Sequence, residues 1–153
     1  MASENIEQNL RNSMDIMNTG DFSDIDKYMT EDVTYRTTLG FKVEGIDEAK
    51  EFRSLYADAF DDLKIEPQHI FVEGNKAVVI YKQSGTHVGE FMGIEPTNSR
   101  WEQLGCNIIT LDDEGKIVDI FDIFDQLELL YQLDAVPQEM KELTEGLTTR
   151  PGA

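Results

Sequence analysis

Three aspartates lie within one apolar stretch near the end of the chain, and they are the first residues whose spacing could support chemistry. The stretch, residues 115–125, reads GKIVDIFDIFD and carries Asp119, Asp122 and Asp125. Its other residues are mostly β-branched or aromatic, and a turn rich in acidic residues precedes it. This composition is typical of a strand in a sheet that is covered on both faces.

The alternation of a strand separates the three aspartates. With a period of two, one face carries Val118, Ile120, Asp122 and Phe124, and the other carries Ile117, Asp119, Phe121, Ile123 and Asp125. Asp122 therefore has apolar neighbours on its own face. A carboxylate in such surroundings must find hydrogen bonds, or its pKa rises towards the range in which it can exchange protons. Asp122 is a candidate general base.

Amphipathic helices and long strands must position this aspartate. Helical spacing of apolar residues predicts three early helices and a short closing one, over residues 3–17, 22–29, 45–60 and 126–133. Alternating or apolar runs predict strands over residues 33–38, 64–73, 76–91 and 101–111, in addition to the aspartate-bearing stretch. The pair Gly74-Asn75 predicts a hairpin between the second and third of these strands.

These elements predict one α+β domain over residues 1–137. The helices are expected to cover one face of a strongly curved antiparallel sheet, and such a sheet forms a cone with a pocket in its interior. Residues 138–153 are polar and are predicted to form a partly disordered tail.

The composition limits the possible partners. Thirty-one acidic residues against thirteen basic residues give a net charge of −18, so the surface is expected to repel nucleic acids and anionic membranes. The single cysteine, Cys106, excludes an internal disulfide and fits a reducing compartment. The sequence has neither a stretch long enough for a membrane span nor a basic signal-peptide start, which indicates a cytoplasmic protein.

Several motifs together resemble one family. The chain carries NTGD between its first two predicted helices, GTHVGEFMGIEPT at residues 85–97, DEGKI at residues 113–117 and LYQL at residues 130–133. In this order they resemble the SnoaL-like polyketide cyclases of the nuclear-transport-factor-2-like superfamily, over about residues 5–137. The resemblance implies the same cone-shaped fold, also described as an α+β barrel.

The resemblance also implies a chemistry. Family members close a ring of a hydrophobic polyketide by an intramolecular aldol condensation, without a metal or another cofactor. Matching the GKI turn and the closing helix places the family's catalytic aspartate on Asp122 and a second frequent acid on Asp125. The family's histidine on the preceding strand falls on Asn107, which can donate a hydrogen bond but cannot carry a proton at neutral pH.

Further residues are candidates for the wall of the substrate pocket. They are Trp101, Gln103, Phe124, Tyr35, Tyr56, Tyr81 and His87, and the last of these lies in the GTHVG motif. The tyrosines and Trp101 could equally be half-buried packing residues at the mouth of the cone. The sequence shows no zinc-ligand spacing and no glycine-rich phosphate loop.

Two alternatives to a cyclase remain open. The asparagine at position 107 suits a non-catalytic module of the same fold that binds small molecules or dimerises. Arg100 and Glu102, with Asp122 or Asp125 on the next strand, resemble the acid-arginine-acid arrangement of limonene-epoxide hydrolases, although a surface ion pair is the commoner meaning of such spacing.

The second face of the aspartate-bearing strand predicts self-association. Ile117, Phe121 and Ile123 make that face too apolar to remain in water. Members of the superfamily commonly pair sheet to sheet, so we expect a homodimer or a larger homo-oligomer.

Overall fold

A computed structural model of the chain describes residues 3–148 and contains four α-helices and six strands in this range. The helices are α1 (Ser3–Thr19), α2 (Gly45–Ala59), α3 (Gln126–Gln132) and α4 (Gln138–Thr148), with a single 3-10 turn at Ile25–Lys27. The strands are β1 (Met29–Thr37), β2 (Lys42–Glu44), β3 (Phe60–Glu73), β4 (Lys76–His87), β5 (Arg100–Leu111) and β6 (Ile117–Phe124).

The six strands form one curved sheet that does not close into a barrel. Their order is β2-β1-β6-β5-β4-β3, so β2 and β3 are its two edges. The helices α1 and α2 pack across the concave face, since α1 contacts β3 and α2 contacts β1, β2 and β3. The predicted α+β class with a curved sheet under N-terminal helices is confirmed.

One strand pair differs from the predicted antiparallel sheet. β1 runs parallel to β6, with Tyr35 opposite Ile120 and Thr37 opposite Asp122, whereas every other pair is antiparallel. The paired residues Thr34 and Asp119 of these two strands lie 85 positions apart in the sequence. Local patterns carry no information on such a pairing, yet it places β1 beside the aspartate.

Two early segments also differ from their predicted structure. Residues 22–29 form only one 3-10 turn, because β1 already begins at Met29 and pairs with Ile117 there. The short edge strand β2 was not predicted, and it pairs with β1 through Val43 and Tyr35.

The predicted polar tail is helical from Gln138 to Thr148, and its last residues, 149–153, lie outside the described part of the chain.

An irregularity in β6 corrects the predicted division of its faces. Thr110 lies opposite Asp119 but Leu111 lies opposite Ile117, so β6 contains one extra residue, Val118, at this point. Ile117 consequently turns to the concave face, where it is only 2 % exposed. It therefore belongs to the core rather than to the outer face, where alternation alone placed it.

The core has two parts. The larger cluster joins α1 to the middle of the sheet through residues such as Leu10, Val79 and Ile109. The smaller cluster lies at the other end of the sheet and contains Phe60 and Trp101.

Over residues 3–148, none of the helices combines the length and apolar character that crossing a membrane requires.

Candidate functional site

A cavity of about 140 Å³ lies between the concave face of the sheet and the helices α1 and α2. Most of its wall is apolar, with contributions from Met14, Phe52, Ile109 and Ile120 among others. The polar residues of the wall are Ser13, Tyr35, Arg53, Tyr56, Tyr81, Gln83, Asn107 and Asp122. An apolar cavity with a few converging polar groups is the usual form of a small-molecule site.

Asp122 is the buried carboxylate of this cavity, and two tyrosines hold it. Asp122 is only 6 % exposed to solvent. The hydroxyl of Tyr35 donates to Oδ2 at 2.5 Å, and the hydroxyl of Tyr81 donates to Oδ1 at 2.6 Å. Burial raises the pKa of Asp122 above its ordinary value, while the two tyrosine hydrogen bonds act in the opposite direction. The carboxyl group is thus desolvated but held in a fixed orientation.

The tyrosines remain donors whenever Asp122 is ionised. Burial raises the pKa of Tyr35 and of Tyr81 well above the ordinary value for a phenol, and the negative charge of Asp122 adds to the effect. Tyr56 packs edge-on against Phe52 in the same wall, and burial raises the pKa of its hydroxyl as well. At the pH at which the carboxyl group titrates, all three hydroxyls keep their protons.

A glycine on the intervening strand lets Tyr81 reach the aspartate. Tyr81 lies on β4, Asp122 lies on β6, and the residue opposite Tyr81 on β5 is Gly105. A Cβ at Gly105 would come within 2.2 Å of both Cζ and the hydroxyl oxygen of Tyr81. The tyrosine ring therefore crosses β5 over a position at which only glycine leaves room.

Asn107 faces Asp122 across the sheet. The two residues are direct partners in the β5–β6 ladder, and both line the cavity. The side-chain Oδ1 of Asn107 is buried and has no hydrogen-bond partner among the described residues. A polar amide beside a desolvated carboxylate is thus available to a bound molecule.

The cavity brings together six of the ten site residues that the sequence singled out. These are Asp122, Asn107, Tyr35, Tyr56, Tyr81 and Phe124. Trp101 and Gln103 are buried further along β5, outside the cavity wall. Trp101 packs edge-on against Phe60 with ring centroids 5.2 Å apart, so its role is in the second core cluster.

His87 and Asp125 also lie outside the cavity. His87 is fully buried, its Nδ1 is 3.1 Å from the hydroxyl of Thr97, and its ring packs against Phe60. It therefore fastens the loop that follows β4. Asp125 accepts a hydrogen bond from the backbone N–H of Glu128 at 3.0 Å and caps α3.

The hydrolase arrangement is not assembled. Arg100 and Glu102 are exposed, and Glu102 lies 3.5 Å from Lys82 rather than near Asp122. Asp119, on the outer face of β6, forms an ion pair with Arg36 at 2.8 Å. The alternation of β5 and β6 keeps these charges on the side of the sheet opposite to the cavity.

Sequence patterns did not reveal how Asp122 is held, and they missed Arg53 altogether. The pairing of β1 with β6 is needed to place Tyr35 beside Asp122. Gly105, a glycine inside a predicted strand, was the available signal for a close approach by Tyr81.

Among residues 3–148, no cluster of three or more His, Cys, Asp and Glu side chains is arranged to hold a metal ion.

Comparison with known proteins gives one family and several related structures. The family model of the SnoaL-like polyketide cyclases matches residues 8–133. TsrD from Streptomyces laurentii is 26 % identical, with a TM-score of 0.79 over 89 % of this chain and 99 % of that chain. No curated protein matches the chain significantly.

Two further solved structures share the fold at lower identity. AclR from Streptomyces galilaeus, a candidate hydroxylase, is 23 % identical with a TM-score of 0.75 over 95 % of this chain and 97 % of that chain. IdmH from Streptomyces antibioticus, a candidate polyketide cyclase, is 22 % identical with a TM-score of 0.70 over 84 % of this chain and 98 % of that chain.

Proposed function

Because the chain belongs to the family of SnoaL-like polyketide cyclases, we propose that it acts on a hydrophobic carbonyl compound by acid-base chemistry without a cofactor. Asp122 is the general base in this proposal. One observation carries it: the carboxyl group of Asp122 lies in the wall of an apolar cavity, where burial raises its pKa. Such a base is matched to a weakly acidic C–H group better than an exposed aspartate is.

The proposed reaction balances without an added redox partner. The carboxylate of Asp122 removes a proton from the carbon α to a carbonyl group and becomes a carboxylic acid. The resulting enolate carbon attacks a second carbonyl carbon of the same molecule, which forms the new C–C bond and an alkoxide. The alkoxide takes the proton back from Asp122, so the carboxylate is restored. An isomerisation would return the proton to a different carbon instead.

The hydroxyls of Tyr35 and Tyr81 can stabilise the negative charge before and after the proton transfer. While Asp122 is ionised, the hydroxyls of Tyr35 and Tyr81 donate to its two oxygens. Once the proton has moved, the negative charge lies on the enolate oxygen, and a hydroxyl that turns from Asp122 can donate to it. The amide of Asn107, opposite Asp122, supplies a further donor.

The cavity volume sets the size of a suitable test compound. Its volume of about 140 Å³ is close to that of an engineered cavity of roughly 150 Å³ that admits benzene. A single aromatic ring is therefore the part of a ligand that this volume suits, and the one-ring methyl ketone 4-acetylbenzamide is the first probe, since its acetyl protons can exchange for deuterium only through the enol or enolate.

Deuterium incorporation into 4-acetylbenzamide, followed by proton NMR in D₂O, tests the proposal. The wild type should accelerate exchange, and Asp122→Asn should abolish the acceleration. The matched control is Asp119→Asn, which removes a carboxylate from the same strand but from its outer face. Exchange that persists in Asp122→Asn, or that the wild type does not accelerate, would refute the role of Asp122.

A non-catalytic binding protein is the second candidate, and Asn107 is the observation that favours it. Asparagine at the position of the family's histidine leaves Asp122 opposite a side chain that cannot carry a proton at neutral pH. In that case 4-acetylbenzamide would bind in the cavity, which calorimetry measures, without any deuterium incorporation above the buffer rate.

A further inference from the structure

Arg53 places a positive charge in the helical wall of the cavity. It lies on α2 and lines the cavity together with Ala49, Phe52 and Tyr56 of the same helix. Asp122 reaches the same cavity from β6, on the sheet side. The cavity thus has a cation on one wall and the proposed base on another.

One contact of Arg53 has a structural explanation. Its Nε–H donates to the backbone carbonyl of Met17 at 2.5 Å, in the last turn of α1. The last carbonyls of a helix lack partners within the helix, and a cation is favoured beside them. This contact uses one of the five donors of the guanidinium.

Part of the guanidinium of Arg53 has no partner among the described residues. No acidic side chain among the described residues forms a salt bridge with it, although the chain has 31 acidic residues. Its Nη1 is buried without a hydrogen-bond partner in the same part of the chain. Burial lowers the pKa of the guanidinium, but an arginine still keeps its charge at neutral pH. Arg53 is only half-buried, but a guanidinium nitrogen that is buried without a partner is costly, so a helix cap alone explains it poorly.

We propose that Arg53 binds a carboxylate group of the substrate. The planar guanidinium offers parallel donors that suit a carboxylate, and the interaction supplies a counter-charge, which no acidic side chain of residues 3–148 provides through a salt bridge. This inference rests on the proposed function of the same cavity and narrows its substrate to a compact, apolar carbonyl compound that carries an acid group. With the carboxylate held at α2, the reacting carbon is directed towards β6 and Asp122.

Calorimetric binding of 4-acetylbenzoate and 4-acetylbenzamide separates charge recognition from apolar fit. The two compounds share the ring and the ketone and differ in the charged group. The wild type should bind the carboxylate at least about tenfold more tightly than the amide, the size of a charge-assisted hydrogen bond. Arg53→Met should remove this preference and leave the affinity for the amide within about twofold.

Two further variants complete the experiment. Arg36→Met removes an exposed arginine of the outer face and should change neither affinity. Arg53→Lys keeps the charge without the planar fork, so it should retain only part of the preference. If Arg53→Met does not fold, a wild-type preference in Arg53→Lys overturns the proposal and a reduced preference supports it.

The outcomes for Arg53 and for the proposed function are distinguishable. A wild type that binds both compounds equally, or an Arg53→Met variant that loses affinity for both equally, would overturn the carboxylate site even where deuterium exchange proceeds. Conversely, a carboxylate preference that depends on Arg53 but is accompanied by no exchange of the acetyl protons would support the site and refute the catalytic role of Asp122.

Discussion

The ring of Tyr81 lies over the backbone of Gly105, so closely that a Cβ on the glycine would stand 2.2 Å from the phenol oxygen. The same oxygen donates to Asp122 at 2.6 Å. A single position without a side chain on β5 therefore connects β4 to the candidate base on β6. Substitution at Gly105 should act on Asp122 without touching it.

The first prediction is that Gly105→Ala displaces Tyr81 and breaks its hydrogen bond to Asp122. That bond lowers the pKa of Asp122 against the larger effect of burial, so its loss should raise the pKa and move the acid limb of deuterium exchange to higher pH. Unfolding experiments should also show a loss of about 1–3 kcal/mol from overpacking.

A double-mutant cycle provides the control for Gly105→Ala. In a Tyr81→Leu background the ring is absent, so adding Gly105→Ala should cost much less stability than it does in the wild type. Equal costs in the two backgrounds would show that the ring does not depend on the glycine.

The second prediction concerns the pH dependence of the wild type. In the proposed reaction the carboxylate is the active form, so activity is expected to fall as the pH drops through the pKa of Asp122. Since burial raises this pKa, the fall should begin at a higher pH than for an exposed aspartate. Tyr35→Phe removes a donor to the carboxylate and should move the fall to still higher pH. Exchange rates measured across the acidic range check both shifts.

The sequence was sufficient for the elements that local patterns specify. The helix α2, the Gly74-Asn75 hairpin and the inward direction of Asp122 follow from spacing and alternation alone. The parallel pairing of β1 with β6 does not, because strands distant in sequence leave no local mark on each other.

The same limit explains the errors at the site. Ile117 faces the core because of one extra residue in β6, and alternation assumes that no such residue exists. Trp101 and His87 have the residue types of a pocket wall, but both rings pack against Phe60, which belongs to the second core cluster. Sequence patterns did not single out Arg53, because its proposed role depends on which side chains surround it in the folded chain.

The third prediction is that Asn107→His increases the rate of exchange. Position 107 lies directly opposite Asp122, so a histidine there could accept and return a proton near neutral pH. We expect the rate to increase about tenfold. This is less than a positioned acid-base group usually contributes, because the rest of the site is not adapted to a histidine. Asn107→Leu, which fills the position without a polar group, should instead slow exchange.

The fourth prediction separates Asp125 from the chemistry. Asp125→Ala removes the cap of α3 and should lower the free energy of unfolding by about 1 kcal/mol while leaving exchange unchanged. Asp113→Ala, which removes an exposed turn carboxylate that caps no helix, should change neither quantity. A loss of exchange in folded Asp125→Ala would return this residue to the site.

The last prediction is that the outer face of the sheet forms a homodimer. Even without Ile117, this face is apolar across three strands: Ile108 lies beside Val78 and Phe121, and Cys106 lies beside Ile123. Leu104, Ile108 and Ile123 are 62 %, 40 % and 36 % exposed in the single chain. A contiguous apolar face of this kind is typical of an interface between identical subunits.

Light scattering measures this prediction directly. The wild type should have twice the mass of one chain, or a larger multiple, at micromolar concentration. Ile108→Lys should shift it towards the monomer, because the lysine places an unpaired charge at the centre of the apolar face. Leu55→Lys changes an equally apolar, exposed residue on α2 and should leave the mass unchanged. A monomeric wild type, or an Ile108→Lys variant with the wild-type mass, would contradict a dimer through this face.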